Sequence, residues 1–135
     1  MAEYGKTFEV AMTMAMEEIN EAGGIGGREL VLDFADSKGE QNEAADLAAA
    51  FAEDEKYMAV LGDFSSGCAM AAAPVCDEAG IVQFAPTASS VDFAPMSEYC
   101  FQIAGRSDGE GIYAAKYIVG KYVGAENVAL FSMNT

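Results

Sequence analysis

The chain has 135 residues, enough for one domain with a substantial core, and 52% of them are hydrophobic. Its 22 Asp and Glu residues against 7 Lys and Arg give a formal net charge of −15, which argues strongly against a nucleic acid or an anionic membrane surface as partner. The absence of histidine removes Ser-His and Cys-His nucleophiles, imidazole bases and His-ligated zinc. We therefore expect no enzymatic activity and no metal or cofactor.

The first predicted element is a helix over residues 8–21, in which apolar side chains recur at helical spacing. Its apolar positions are Phe8, Ala11, Met12, Ala15, Met16 and Ile19. Gly23 and Gly24 end this helix, and Gly26 and Gly27 turn the chain. These glycines lack the GxGxxG order and follow a helix rather than a strand, so they predict no dinucleotide site.

Strands and helices alternate along the rest of the chain. Short apolar or alternating runs predict strands over residues 29–35, 57–61, 81–85, 101–103 and 128–131. Helices are predicted over residues 41–55, over residues 67–79 with Ser65 or Ser66 as N-cap, and to about residue 123 from a cap at Ser107 or Asp108. This order is typical of an α/β fold, a parallel sheet covered on both faces by helices in right-handed crossovers.

The cysteines and the hydropathy restrict the remaining chemistry. Cys68 and Cys76 fall on one predicted helix, where eight residues at ~1.5 Å each separate them by roughly 12 Å, too far for a disulfide. A disulfide between Cys76 and Cys100 stays open beside the alternative of buried free thiols. No run of about 18 apolar residues predicts a membrane span, and no signal peptide is recognisable. Either the protein is cytoplasmic, or this chain lacks its natural beginning.

Two of the predicted strands end in small, hydroxyl-bearing turns that lead into helix-compatible stretches. Residues 62–67 (GDFSSG) follow one strand, and residues 86–90 (PTASS) follow the next. Open α/β sheets bind ligands at the carboxyl ends of their strands. Hydroxyls and free backbone N–H groups there can hold a small anion or carboxylate without a charged side chain. The two turns therefore predict a cradle for a polar small molecule.

An ordered set of short motifs covers nearly the whole chain. The motifs are EYG at 3–5, EINEAGGIGGR at 18–28, a strand and acidic loop up to Asp36, VLG followed by SS at 60–66, AP at 73–74, GI at 80–81, PTAS at 86–89, and RSD at 106–108 before YAA at 113–115. In this set the sequence resembles the type I periplasmic binding proteins, especially the branched-chain amino acid and amide-binding group of ABC importers.

The resemblance implies two α/β lobes that close on a small ligand like a hinged trap. Residues 1–135 would be an incomplete first lobe, without the family's first strand and without the second lobe. Ser66 would hold the ligand's α-carboxylate, the turn at 86–90 would add backbone and hydroxyl contacts, and Tyr4 would line the mouth of the cleft. The implied ligand-binding residues are Ser65, Ser66, Thr87, Ala88, Ser89 and Tyr4.

The function implied by the resemblance is the extracytoplasmic substrate-binding component of an ABC importer, periplasmic or lipid-anchored at the cell surface. Its partners would be an amino acid of the branched-chain type, or a related amide or carboxylate, and a membrane permease. A ligand-binding sensor domain of a receptor has the same fold and is the close alternative.

Two other classes of protein fit the residues less well. A receiver-like signalling domain could use Asp36 and Asp63, but no lysine stands at a later strand end. A serine or cysteine enzyme could use Ser66 or Cys68, but the chain has no GxSxG elbow, no histidine and no adjacent lysine. A lobe without one of its strands would expose unpaired strand backbone and apolar surface. We therefore also expect marginal stability or self-association of this chain.

Overall fold

The structure is a computed structural model that describes residues 2–131. Three strands form one parallel sheet in the order β1-β2-β3, which confirms the predicted parallel α/β arrangement. The strands are β1 (Ala59–Leu61), β2 (Val82–Ala85) and β3 (Cys100–Gln102). In the register of the sheet, Gln83 lies between Val60 on one side and Cys100 on the other.

Within residues 2–131, four α-helices flank the strands, and only a short 3-10 helix, Ala94–Met96, lies between β2 and β3. The α-helices are α1 (Ala2–Glu21), α2 (Gln41–Glu53), α3 (Ser66–Ala79) and α4 (Ser107–Tyr113). Helix α1 begins earlier than the apolar pattern indicates, and the helix predicted to residue 123 continues after α4 as a π-helix, Ala114–Val123. Within residues 2–131, no helix combines the length and the hydropathy needed to cross a membrane.

Local signals define both ends of α3. The hydroxyl of Ser65 accepts a hydrogen bond from the backbone N–H of Cys68 at 3.2 Å, which confirms Ser65 as the N-cap. Gly80 follows the last turn with φ +66°, in the left-handed region that glycine enters without a steric cost, and its N–H bonds to the carbonyl of Asp77 at 3.1 Å. The helix therefore begins and ends where its own sequence directs it.

The core is built mostly from small side chains on the two sides of α3. One cluster packs α3 against the sheet and the turn after β2; its members are Ala69, Ala73, Ala85, Ala88, Phe93 and Cys100. The other packs α3 against α2 and the start of β2; its members are Ala48, Ala72, Cys76 and Ile81. Because alanines line both contacts, α3 can approach its neighbours closely.

Gln83 is the exception to this apolar core. Its side chain is 0% exposed, and its amide nitrogen donates to the carbonyls of Gly62 at 3.3 Å and Ala69 at 3.0 Å. Its amide oxygen lies 3.9 Å from the sulfur of Cys100, a weak donor. One buried side chain on β2 thus connects the end of β1, the second turn of α3 and the start of β3.

Two predicted strands are wrong. Residues 29–35 pair with no strand in the described part of the chain. Instead, the side-chain amide of Asn20 bonds both backbone groups of Leu30, at 2.7 and 2.8 Å. Residues 128–131 are also not a strand, and Leu130 and Phe131 are 92% and 98% exposed. An alternating pattern reports which side chains could be buried, but a strand also needs a partner for its backbone hydrogen bonds.

The cysteines are free thiols. Cys68, Cys76 and Cys100 are all buried, so the possible disulfide between Cys76 and Cys100 is not formed. Burial, and secondarily the nearby Cys100, raises the pKa of Cys76 to about 11. Burial also raises the pKa of Cys100.

A groove of about 680 Å³ lies between α1, α2 and the free edge of β1. Leu61 lines it and is 46% exposed, and Phe34 and Phe8 contribute to its apolar wall. None of the side chains of α1 described here, residues 4–21, is buried. The β1 edge therefore presents unpaired backbone groups beside apolar surface, the combination expected to promote strand pairing between molecules.

We expect the three thiols of the folded chain to react slowly with DTNB at mildly alkaline pH. Burial blocks access to them, and the raised pKa of Cys76 keeps that group protonated, whereas the thiolate is the reactive form. Following the absorbance of the released thiolate with and without guanidinium tests this. Full reaction in the absence of guanidinium, as fast as in its presence, would contradict the buried positions.

We expect the chain to self-associate through the β1 edge and Leu61→Lys to weaken that association. A lysine on an edge strand disfavours pairing with another strand because the charge must be desolvated. Sedimentation velocity over a range of concentrations measures the effect, and Met14→Lys on the exposed surface of α1 is the matched control. A monomer with a sharp, cooperative melt would show that the edge is not a liability.

Candidate functional site

The turns that follow β1 and β2 meet at the carboxyl edge of the sheet. The hydroxyl oxygen of Ser66 accepts hydrogen bonds from the backbone N–H groups of Ser89 and Ser90, both at 3.2 Å. In the other direction, the hydroxyl of Thr87 donates to the carbonyl of Phe64 at 2.8 Å. The two hydroxyl-bearing turns are therefore joined by direct hydrogen bonds, and the structure brings their predicted site residues together.

The Ser66 hydroxyl is oriented by these contacts. A serine oxygen has two acceptor positions and one proton, and both acceptor positions of Ser66 are occupied. Within residues 2–131, the Ser66 hydroxyl donates no hydrogen bond. Ser66 is half-buried, so its proton can be donated to an oxygen atom that arrives from outside.

Ser66 also opens the first turn of α3, where helix geometry leaves backbone donors free. The N–H groups of Ser66 and Gly67 form no hydrogen bond within residues 2–131, whereas Ser65 accepts from the N–H groups of Cys68 and Ala69. The helix dipole favours negative charge at this end. A hydroxyl and two N–H groups at one helix terminus suit a carboxylate or another small anion.

The other predicted residues of the two turns have structural partners. Ser65 uses its hydroxyl as the cap of α3. Ala88 is 0% exposed, its side chain packs in the core, and its carbonyl accepts from the Gln102 amide at 3.0 Å. The hydroxyl of Thr87 already donates a hydrogen bond to the carbonyl of Phe64, so towards a ligand it can act only as an acceptor.

Tyr4 lies beside the first turn. Its ring stacks on that of Phe64, with ring centres 4.5 Å apart and planes 22° apart, and it is 55% exposed. Phe8 approaches the same ring at 6.0 Å. Tyr4 and Phe64 line the groove, but Ser66, Thr87 and Ser89 do not, so the predicted cradle is an open surface next to that groove.

The sequence analysis missed Ser107 as part of this edge. The backbone N–H of Ser107 donates to the carbonyl of Ser89 at 3.0 Å, and its hydroxyl lies 3.1 Å from the hydroxyl of Ser89. The predicted cap at Ser107 or Asp108 is wrong, because Arg106 occupies the N-cap position of α4 without a side-chain cap bond. The available signal was topological, since β3 is parallel to β1 and β2 and must end at the same edge.

Asp63 is a second residue whose role was missed. One oxygen of its carboxylate accepts from the N–H of Ser65 at 3.1 Å, and the other accepts from the hydroxyl of Ser37. It therefore braces the serine turn against the loop that precedes α2. Asp108, in contrast, pairs with Arg106 at 3.0 Å on the surface, and that contact lowers its pKa.

The acidic residues beside the serine turn have hydrogen-bond partners of their own. Within residues 2–131, no three side chains of His, Cys, Asp or Glu converge as a metal site. The backbone N–H of Lys38 bonds to Asp36 at 2.8 Å, and Asp63 is engaged as described above. Of the two carboxylates considered for a receiver-like site, Asp36 thus holds its own turn, whereas Asp63 joins the serine turn to the loop that carries Ser37.

Comparisons with known proteins agree with this architecture. Residues 1–135 match the family described as periplasmic binding protein. The chain is 34% identical to an amino acid binding protein of Pseudomonas aeruginosa over 87% of its length, and 29% identical to the Leu/Ile/Val-binding protein homolog 1 of Brucella abortus over 93%. It spans 32% and 34% of those two relatives, about a third of their length.

Solved structures give the same result. An ABC transporter substrate-binding protein from Desulfitobacterium hafniense in complex with Leu superimposes with a TM-score of 0.80 at 30% identity, covering 84% of this chain and 34% of that one. A putative branched-chain amino acid ABC transporter from Rhodospirillum rubrum superimposes with a TM-score of 0.80 at 35% identity. The match covers 88% of this chain and 34% of that one.

We expect Ser66→Ala to lower the free energy of unfolding by about 1–2 kcal/mol, because the N–H groups of Ser89 and Ser90 lose their acceptor in a half-buried turn. Urea unfolding followed by circular dichroism measures the change. Ser90→Ala is the control, since that hydroxyl accepts only from an exposed N–H of Asp92, and its effect should stay within about 0.5 kcal/mol. Equal effects of the two substitutions would show that Ser66 does not join the turns.

Proposed function

Since the chain belongs to the periplasmic binding protein family, we propose that it is the first lobe of an extracytoplasmic substrate-binding protein of an ABC importer. The proposed ligand is an amino acid of the branched-chain type, or a related amide or carboxylate. The observation that carries the proposal is the hydroxyl of Ser66, whose two acceptor positions are filled by N–H groups and whose proton is free. The names of the relatives, a Leu/Ile/Val-binding protein among them, support the ligand class.

In the proposed complex, one carboxylate oxygen of the ligand accepts from the Ser66 hydroxyl. The other oxygen lies at the free N–H groups of Ser66 and Gly67, where the dipole of α3 contributes about 0.3–1 kcal/mol at an exposed site. The hydroxyl oxygen of Thr87 would act as an acceptor for the ligand, because the Thr87 hydroxyl donates its hydrogen bond to the Phe64 carbonyl. An ammonium group can donate to it.

Local donors, rather than the net charge, would hold the ligand. A formal charge of −15 repels an anion at long range, so recognition of a carboxylate depends on short-range hydrogen bonds and on the helix terminus. The remaining contacts of the site, including those to the side chain, would come from a second lobe. Half of a site exposes the ligand to water, so the binding expected of this chain alone is in the millimolar range.

The proposal also assigns location and partner. The family is one of periplasmic binding proteins, which supports an extracytoplasmic location. The relatives identified as ABC transporter substrate-binding proteins support delivery of the ligand to a membrane permease. A binding protein needs no catalytic residue, which is consistent with a chain that has no histidine.

An amide NMR titration with leucine, glutamine and an aliphatic amide tests the proposal. We expect shifts confined to residues 65–67 and 87–90, largest for leucine. Ser66→Ala should weaken leucine binding by roughly tenfold or more, since a hydrogen bond to a charged group contributes ~1.5–3 kcal/mol.

Ser97→Ala is the matched control for this titration, because its hydroxyl bonds to Asp77 and to the backbone of Tyr99, away from both turns. A dispersed spectrum in which no ligand moves these amides would overturn the proposed site.

A further inference from the structure

Resting on the proposed function, we infer that Asp63 is a specificity residue that selects amino acid zwitterions over the corresponding carboxylates without an α-amino group. Asp63 lies three residues before Ser66, at the carboxyl end of β1. Its carboxylate accepts the N–H of Ser65, which places a full negative charge at the terminus of α3 where the ligand carboxylate would bind.

The position of this charge is fixed from two sides. The hydroxyl of Ser37 and the N–H of Ser65 each hold one oxygen of Asp63. The carboxylate therefore cannot rotate away from the serine turn without losing both hydrogen bonds. Asp63 is also half-buried, so its charge is screened less than that of a fully exposed group.

Within the described residues, this carboxylate forms no ion pair. The ion pairs formed among residues 2–131 join Lys38 to Glu43, Lys56 to Asp33 and Asp54, and Arg106 to Asp108. Lys6 and Lys38 are the basic residues that line the adjoining groove, and Lys38 is engaged with Glu43 at 2.9 Å. A helix terminus that attracts anions and an aspartate that repels them thus meet at the serine turn.

This combination distinguishes two ligands of the same shape. A plain carboxylate interacts with Asp63 only by repulsion. An amino acid also carries an ammonium group, whose attraction to Asp63 offsets that repulsion. Three Cα–Cα steps of 3.8 Å allow at most about 11 Å between the Cα atoms of Asp63 and Ser66. Taking that distance for the separation of the Asp63 carboxylate from the ligand ammonium, Coulomb energies at effective dielectric constants between ~20 and ~80 correspond to a discrimination of about 2- to 15-fold.

The test compares leucine with 4-methylpentanoate, its analogue without the amino group, by NMR titration of the whole chain. We expect Asp63→Asn to reduce the ratio of leucine affinity to 4-methylpentanoate affinity by about 2- to 15-fold, while the amide oxygen still accepts from Ser65. Asp46→Asn is the control, because it removes the same charge from the exposed side of α2, outside the groove. In the unsubstituted chain, raising the salt concentration should reduce the same ratio.

The outcomes separate the two proposals. If leucine shifts the turn amides but Asp63→Asn and Asp46→Asn change the ratio equally, or neither changes it, the role of Asp63 is overturned and the proposed function stands. If neither ligand shifts those amides in a dispersed spectrum of the unsubstituted chain, the proposed function fails, and the selectivity fails with it.

Discussion

The buried amide of Gln83 is the constraint on which the candidate site depends. A buried polar side chain must satisfy its hydrogen bonds within the protein, and Gln83 does so with the carbonyls of Gly62 and Ala69. Gly62 begins the serine turn, and Ala69 follows that turn in α3. Strand β2 therefore fixes, through one side chain, the distance between the end of β1 and the helix whose first turn carries Ser66.

The small side chains of the core make this arrangement possible. Ala69 and Ala73 are fully buried against the sheet, and Ala72 packs towards α2, so no large side chain holds α3 away from its neighbours. Such a core gains relatively little from the burial of each side chain. Backbone groups come close together instead, and hydrogen bonds such as that from Ser89 to Ser66 set the geometry of the turns.

The sequence predicts a structural feature well when the residues that form it are close together in the chain, and poorly when their hydrogen-bond partners are distant. Ser65 and Gly80 act within a few residues of themselves, so the sequence predicts the ends of α3 closely and limits its N-cap to Ser65 or Ser66. The alternation at 29–35 was not sufficient, because a strand requires a neighbouring strand, and here Asn20 supplies the partner groups. The local sequence around Ser107 predicts a helix cap, because it gives no indication of the residue to which Ser107 actually bonds. That residue, Ser89, lies 18 residues earlier in the chain. The motifs for the candidate site were local, but the contacts that join them are not.

The electrostatics of the cradle make its strength depend on whether water is excluded from it. Its donors are neutral: one hydroxyl and backbone N–H groups at a helix terminus, with Asp63 adding a negative charge nearby. Donors of this kind are weak while water competes for them and become stronger once water is excluded. Ser66 is only half-buried and the cradle is open, so this chain cannot exclude water by itself. A surface closing over the turns would strengthen the hydrogen bonds to a carboxylate and, equally, the influence of Asp63, so that affinity and selectivity for a zwitterion would rise together.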